Sequence, residues 1–294
     1  MLTLFRLLSR WPLGLLHVLG AGLGWLTWLL SPTYRRRLHR NAAQAGVAPA
    51  QARAAVAEAG RMVMELPWLW MRPADRPLGD KLRWQGEACI EEAHRRGKGI
   101  VFLTPHLGCF EVTAQGYAER YGATHGPITV LYRPPRKAAI RPLVEAARRR
   151  PGLATAPATL AGVRQMIRAL RQGQAVGLLP DQVPPEGMGV WAPFFGRPAY
   201  TMTLAARLAQ QTGASIVLAW GERLRRGAGY VIHLEPFDEP LPDLAADQGQ
   251  SAATAINRAM ERLILRCPGQ YLWGYHRYKQ PRREAAPAGA AESS

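Results

Sequence analysis

Short apolar runs recur along the chain, at Ile100–Thr104, Ile128–Tyr132, Ala175–Leu179, Ser215–Trp220 and Tyr230–Leu234. Runs of this length, bounded by glycine, proline and polar residues, predict buried strands. Between and around them the pattern predicts helices over 35–71, 87–96, 138–150, 163–171, 202–211 and 252–266, the second stopped by Gly97 and Gly99. Strands alternating with helices specify an α/β fold, a mixed central sheet flanked by helices.

The first 34 residues differ from this pattern. Trp11–Leu30 carries no formal charge and is dominated by Leu, Trp and Val, about the length that crosses a hydrocarbon core. Arg6 and Arg10 precede it, Arg35, Arg36, Arg37 and Arg40 lie beyond it, and no acidic residue occurs before Glu58. The heavier basic cluster on the far side predicts a cytoplasmic placement for the chain from residue 35 onward, and Trp11, Trp25 and Trp28 suit an interface. Pro12 and the glycines at 14, 20, 22 and 24 leave open whether the helix spans the bilayer or lies in its interface. The expected organisation is a hydrophobic membrane-anchoring helix in 1–34, a catalytic domain in 35–283 and a disordered Ala/Gly/Ser-rich tail in 284–294.

Three polar residues fall just after predicted strands: His106 after Ile100–Thr104, Arg133 after Ile128–Tyr132, and Asp181 after Ala175–Leu179. In open α/β sheets ligands bind beyond the carboxyl ends of strands, so these three are expected on one edge. Five positions beyond His106 stands Glu111. That spacing is wrong for two neighbours on one helix face. It predicts His106 in the loop and Glu111 in the first turns of the next helix, where the carboxylate fixes the imidazole tautomer and frees the other nitrogen to take a proton. A hydrogen-bonded loop histidine is the plain alternative.

Charge and cysteine content narrow the field. Thirty-eight Lys and Arg against 21 Asp and Glu give a formal charge of +17, which calls for anionic surroundings such as lipid or nucleic acid, or for good hydration. No helix-turn-helix, zinc or stacked-aromatic pattern accompanies the charge, so no specific nucleic-acid partner is expected. Cys89, Cys109 and Cys267 are too few and scattered for a disulfide framework and make no metal pattern. Cys109, between His106 and Glu111, reads as a small packing residue rather than a nucleophile.

Four blocks carry a family resemblance: His106-Leu107-Gly108-Cys109-Phe110-Glu111; Tyr132-Arg133-Pro134; Leu179-Pro180-Asp181-Gln182 with Phe194-Phe195-Gly196 and Thr201; and Gln270-Tyr271-Leu272-Trp273 with His276-Arg277-Tyr278-Lys279. In this order, behind a hydrophobic N-terminal segment, the chain resembles the late acyltransferases of lipid A biosynthesis, the lauroyl and myristoyl transferases of Gram-negative bacteria, within the lysophospholipid acyltransferase superfamily. The resemblance implies transfer of a fatty acyl group from an acyl carrier protein thioester to a hydroxyl of an anionic glycolipid precursor, at the cytoplasmic face of the inner membrane. By it, His106 is the general base, Glu111 its support, and Arg133 serves the oxyanion or an acceptor phosphate; Asp181, expected near Arg133 at the same sheet edge, would hold it in place. Phe194, Phe195 and Gly196 would line the acyl slot, with core packing as the alternative. Arg277, with Lys279, would contact phosphate, with a solvated face as the alternative. The expected partners are acyl carrier protein, the glycolipid acceptor and inner-membrane lipid, with no cofactor and no metal. Acylation of a lysophospholipid or another aminolipid, a basic membrane-tethered nucleic-acid binder and a structural scaffold are the competing functions.

Overall fold

A computed structural model describes residues 2–73, 75–132 and 150–282. Arg133, nearly all of the helix expected at 138–150 and the tail from 284 lie outside the described residues.

The chain begins with α1 (Leu2–Leu8), α2 (Leu13–Leu30), α3 (Pro32–Gln44) and α4 (Pro49–Met71). The expected single helix over 35–71 is therefore two helices: Gly46, at φ +70°, takes a backbone turn that L side chains resist. Then come β1 (Leu82–Gln85), α5 (Ala88–Arg95), β2 (Ile100–Leu103), α6 (Phe110–His125), β3 (Ile128–Tyr132) and β4 (Leu153–Pro157). The second half contains α7 (Leu160–Arg171), β5 (Ala175–Leu178), β6 (Gly189–Phe194), β7 (Arg197–Met202), α8 (Leu204–Thr212), β8 (Ser215–Arg223), β9 (Tyr230–Pro236) and α9 (Gln250–Arg266).

Seven strands form one sheet in the order β1-β9-β8-β2-β5-β3-β4. Its pairs are parallel except for β8 with β9, so the sheet is mixed, as expected. A β6–β7 hairpin stands apart from it. All four residues of β2 are buried because the strand lies inside the sheet with both faces covered. Val101 and Leu103 face the core shared with α3, α4, α7, α8 and α9. Ile100 and Phe102 face the opposite core under α5 and α6. Strand alternation thus divides one apolar run between two layers.

The N-terminal apolar helix lies along α4. Gly20 meets Gly60, and Gly24 meets Val56, so closely that a Cβ on Gly60 would sit 1.9 Å from the Gly20 carbonyl oxygen. Small residues let the two backbones touch. The same helix buries Leu13, Leu16 and His17 and exposes Leu15, Val18, Leu19, Leu23, Leu26, Leu29 and Leu30. By length and composition it is able to cross a membrane.

Candidate active site

Strands β2 and β5 are neighbours in parallel register, with Leu103 opposite Leu178, and the Thr104 amide donates to the Leu178 carbonyl at 3.1 Å. The chain leaving each strand therefore emerges at one place. His106 and Asp181, 75 positions apart, meet there: His106 Nδ1 lies 2.7 Å from Asp181 Oδ1, and the His106 backbone N–H donates to Oδ2 at 2.9 Å. Tyr271 Oη donates to the same Oδ2 at 3.2 Å. Burial acts to raise the Asp181 pKa, but the His106 side chain and these hydrogen bonds outweigh it and hold the carboxyl below its ordinary value.

An ionised carboxylate can only accept, so the proton between the two belongs to Nδ1 and the lone pair of the neutral ring sits on Nε2. That nitrogen is 2.9 Å from Gln182 Nε2, whose N–H donates to it. The Phe110 ring covers the imidazole, with centroids 4.8 Å apart. The loop itself is fixed at several points. Leu272 N–H donates to the His106 carbonyl, and Gly108 N–H donates to the Gln270 carbonyl. Gly108 adopts φ +59°, and a Cβ there would lie 2.0 Å from the Gly221 carbonyl oxygen, so glycine is required both by conformation and by approach.

This arrangement corrects the pairing expected from sequence. The Nδ1 partner is Asp181, not Glu111. The left-handed turn at Gly108 swings the chain away before α6 begins at Phe110, and the first turn of that helix carries Glu111 toward α4, where Trp70 Nε1 donates to its carboxylate at 3.4 Å. Asp181, expected to hold Arg133, grips the imidazole; Arg133 lies outside the described residues.

Glu111 is among the residues that line an apolar cleft between α6 and the sheet. Phe102, Thr104, Phe110, Val130, Gly177 and Leu234 contribute to its walls, and Trp84 and Leu153 lie toward opposite edges of the sheet. Phe194, Phe195 and Gly196, expected to line an acyl slot, are not among its walls. Phe194 is packed in the core on the opposite face, beneath the Arg277 guanidinium, while Phe195 and Gly196 form the β6–β7 turn at φ 47° and 71°. Arg277 is likewise displaced from its expected role at a phosphate. Only 3% exposed, it donates to the Tyr200 carbonyl and to Thr201 Oγ1, both at 2.6 Å, because the segment after Trp273 folds inward over β7.

A second polar network lies behind the same loop. Arg223 donates through Nε and Nη2 to Glu65 at 2.7 and 2.5 Å, through Nη1 to Glu58 at 2.7 Å, and through Nη2 to the Gly108 carbonyl at 3.0 Å. His17 and Tyr230 also reach Glu65. Burial would raise the Glu65 pKa, but Arg223 outweighs it and keeps the carboxylate ionised. Cys109 is buried, and burial, with Glu65 nearby, pushes its thiol pKa well up, which leaves it a packing residue. Among the described residues no group of three or more His, Cys, Asp or Glu side chains could hold a metal ion. The sequence pattern assigns no role to Gln182, Tyr271, Glu65 or Arg223. The first two stand inside the family blocks, and a buried ion pair between helix and strand has no local signature.

A histidine held by a buried aspartate at adjacent strand ends, near an apolar cleft in an α/β fold, is an arrangement able to take a proton from a group bound next to an aliphatic ligand. Comparison with known proteins narrows the class. The model of the bacterial lipid A biosynthesis acyltransferase family matches residues 1–280. The lipid A biosynthesis lauroyltransferase of Escherichia coli (strain K12) is 29% identical across 96% of this chain and 90% of its own length. The palmitoleoyltransferase of the same strain is 25% identical across 75% and 68%. A lipid A biosynthesis acyltransferase of Haemophilus influenzae is 26% identical across 63% and 55%. The chain belongs to the bacterial lipid A biosynthesis acyltransferase family.

Proposed function

We propose that this acyltransferase moves a fatty acyl group from an acyl carrier protein thioester to a hydroxyl of a lipid A precursor, with His106 as general base. The observation that carries the reading is the His106–Asp181 pair at adjacent strand ends, its imidazole against Phe110, a residue in the wall of the apolar cleft. The acceptor hydroxyl gives its proton to His106 Nε2 while its oxygen attacks the thioester carbonyl carbon. The Asp181 carboxylate stabilises the imidazolium, the role an aspartate plays behind the histidine of a serine-hydrolase triad. Collapse of the tetrahedral intermediate breaks the C–S bond, and the departing thiolate takes the proton back from Nε2. No enzyme-bound acyl intermediate is needed.

The oxyanion can be met by first-turn amides of α6, whose N–H groups point back toward the strand end, and by Arg133. Glu111, in the cleft lining, orients the acceptor rather than the imidazole. The cleft takes the acyl chain. Membrane association is supported by the exposed leucine face of α2 and by the exposed Arg6, Arg10, Arg36 and Arg40 around it. The reading puts the catalytic part at the cytoplasmic face of the inner membrane, where acyl carrier protein is soluble and the acceptor is embedded.

The purified full chain, given a fatty acyl thioester of acyl carrier protein, is expected to esterify a purified lipid A disaccharide precursor in preference to a lysophospholipid. Mass spectrometry of the lipid products reads the outcome. Ester formed on the lysophospholipid alone overturns the acceptor assignment.

A further inference from the structure

Both ring nitrogens of His106 are taken by consecutive residues of one loop: Asp181 at Nδ1 and Gln182 at Nε2. The second contact occupies the lone pair on which general-base catalysis depends. No hydroxyl can hand a proton to Nε2 while the amide donates there.

The two grips differ in stiffness. Asp181 is buried and tied to the His106 amide and to Tyr271 Oη. The backbone after Gln182 is pinned as well, since Val183 N–H donates to Tyr275 Oη at 3.0 Å. The Gln182 side chain is only half-buried, and among the described residues its hydrogen bond is the one to His106. A flexible side chain on a fixed loop, attached by one hydrogen bond, can turn away without disturbing the fold. Such a bond is worth little net, so a competing hydroxyl can replace it.

Resting on the acyltransferase reading, we propose that Gln182 is a gate on the catalytic base: its amide caps His106 Nε2 until the acceptor hydroxyl displaces it, and so restrains water from being activated against a bound acyl thioester. The suppressed reaction is hydrolysis. Water would give a proton to Nε2 as its oxygen bonds to the thioester carbonyl carbon; the C–S bond would break, and the thiolate would leave with that proton, yielding a free fatty acid and the carrier thiol. A gate of this kind is a positioning device, because it acts through His106.

The test compares the wild-type chain with Gln182→Ala, each incubated with fatty acyl thioester of acyl carrier protein alone and then with lipid A disaccharide precursor. Free fatty acid and ester are counted separately. In Q182A the donor-alone hydrolysis is expected to rise by about tenfold or more, the order of occupancy that one hydrogen bond controls, and the ratio of hydrolysis to transfer is expected to rise with it. In the double variant His106→Ala/Gln182→Ala the extra hydrolysis should vanish. Gln182→Asn, which keeps the amide but shortens its reach, should behave like Q182A and serves if the alanine variant folds poorly. Unchanged hydrolysis in a folded variant overturns the gate, as does a gain that survives loss of His106 or a loss of both reactions together. The donor-alone arm needs no acceptor, so a wild-type chain that makes no ester on this precursor overturns the acceptor assignment while the hydrolysis ratio still decides the gate.

Discussion

Two carboxylate-centred networks flank the loop from Thr104 to Cys109, and they are built from nearly the same parts. In front, Asp181 holds His106, whose side chain is 15% exposed. Behind, Glu65 holds Arg223, with side chains 0% and 1% exposed. Both carboxylates sit below their ordinary pKa values because a cationic or hydrogen-bonding partner outweighs burial. What separates them is the proton. Arginine keeps its proton at any accessible pH, and the histidine that also reaches Glu65, His17, is buried, so the rear network holds. Histidine can take and return one, and a single swinging amide covers its free nitrogen. Burial and charge alone therefore do not mark chemistry; a reachable lone pair does. The rear network also serves the front one, since Arg223 fixes the Gly108 carbonyl and with it the turn that delivers His106.

The sharpest way to break this comparison is to remove one member from each side. His106→Ala should lower acyl transfer by on the order of a hundred- to ten-thousand-fold, the usual worth of general-base assistance, with little change in unfolding midpoint. A folded H106A chain with near-normal turnover would reduce the front network to architecture. Arg223→Met should do the reverse. It strands the Glu65 charge in a sealed site, and such a change costs about 3–5 kcal/mol of stability. Urea unfolding reads that loss. Turnover per folded molecule should fall far less than in H106A; a stable but inactive R223M would show that the two networks do one job.

The sequence made some of this legible and hid the rest for definable reasons. Strands β2, β3, β5, β8 and β9 announce themselves as apolar runs because nearly all their residues are buried or half-buried. Strand β1, Leu-Arg-Trp-Gln, alternates exposed and half-buried positions at the sheet edge, and β4 ends in proline. The β6–β7 hairpin carries Pro193 opposite Pro198, a pattern that argues against strands. It survives because Asn257 Nδ2 donates to the Pro193 carbonyl and Glu261 accepts from the Phe195 amide. At the site, His106 and Asp181 were both visible at strand ends. Their partnership was not, since local spacing favours Glu111 while only the β2–β5 pairing joins positions so distant in sequence. Arg277 misled for a related reason: a charged residue near a basic terminus suggests a phosphate ligand, and nothing local reveals that Tyr200 and Thr201 fold over it.

A third cluster supplies the smallest effect and a control for the comparison. His94 stacks on His125 with centroids 3.8 Å apart and meets Tyr117 Oη at 3.0 Å. Burial, and after it the charge of His125, lowers its pKa from 6.5 to about 4. In the window between those values the unfolded chain binds a proton at His94 that the folded chain does not, so stability rises with pH across it and is lost as pH falls from about 6.5 toward 4. Discounted for a half-exposed ring, the effect is about 1 kcal/mol, or on the order of 2–4 °C in Tm. His94→Gln keeps a partner for Tyr117 but removes the titration, and should flatten the Tm profile in that window. Glu65→Gln should lower Tm across the window yet leave the slope in its upper part in place, because a carboxylate lowered from 4.5 titrates, folded or unfolded, beneath that part. If E65Q flattened the slope instead, the rear network would be exchanging protons near neutrality, and the distinction between a network that holds and one that reacts would fail.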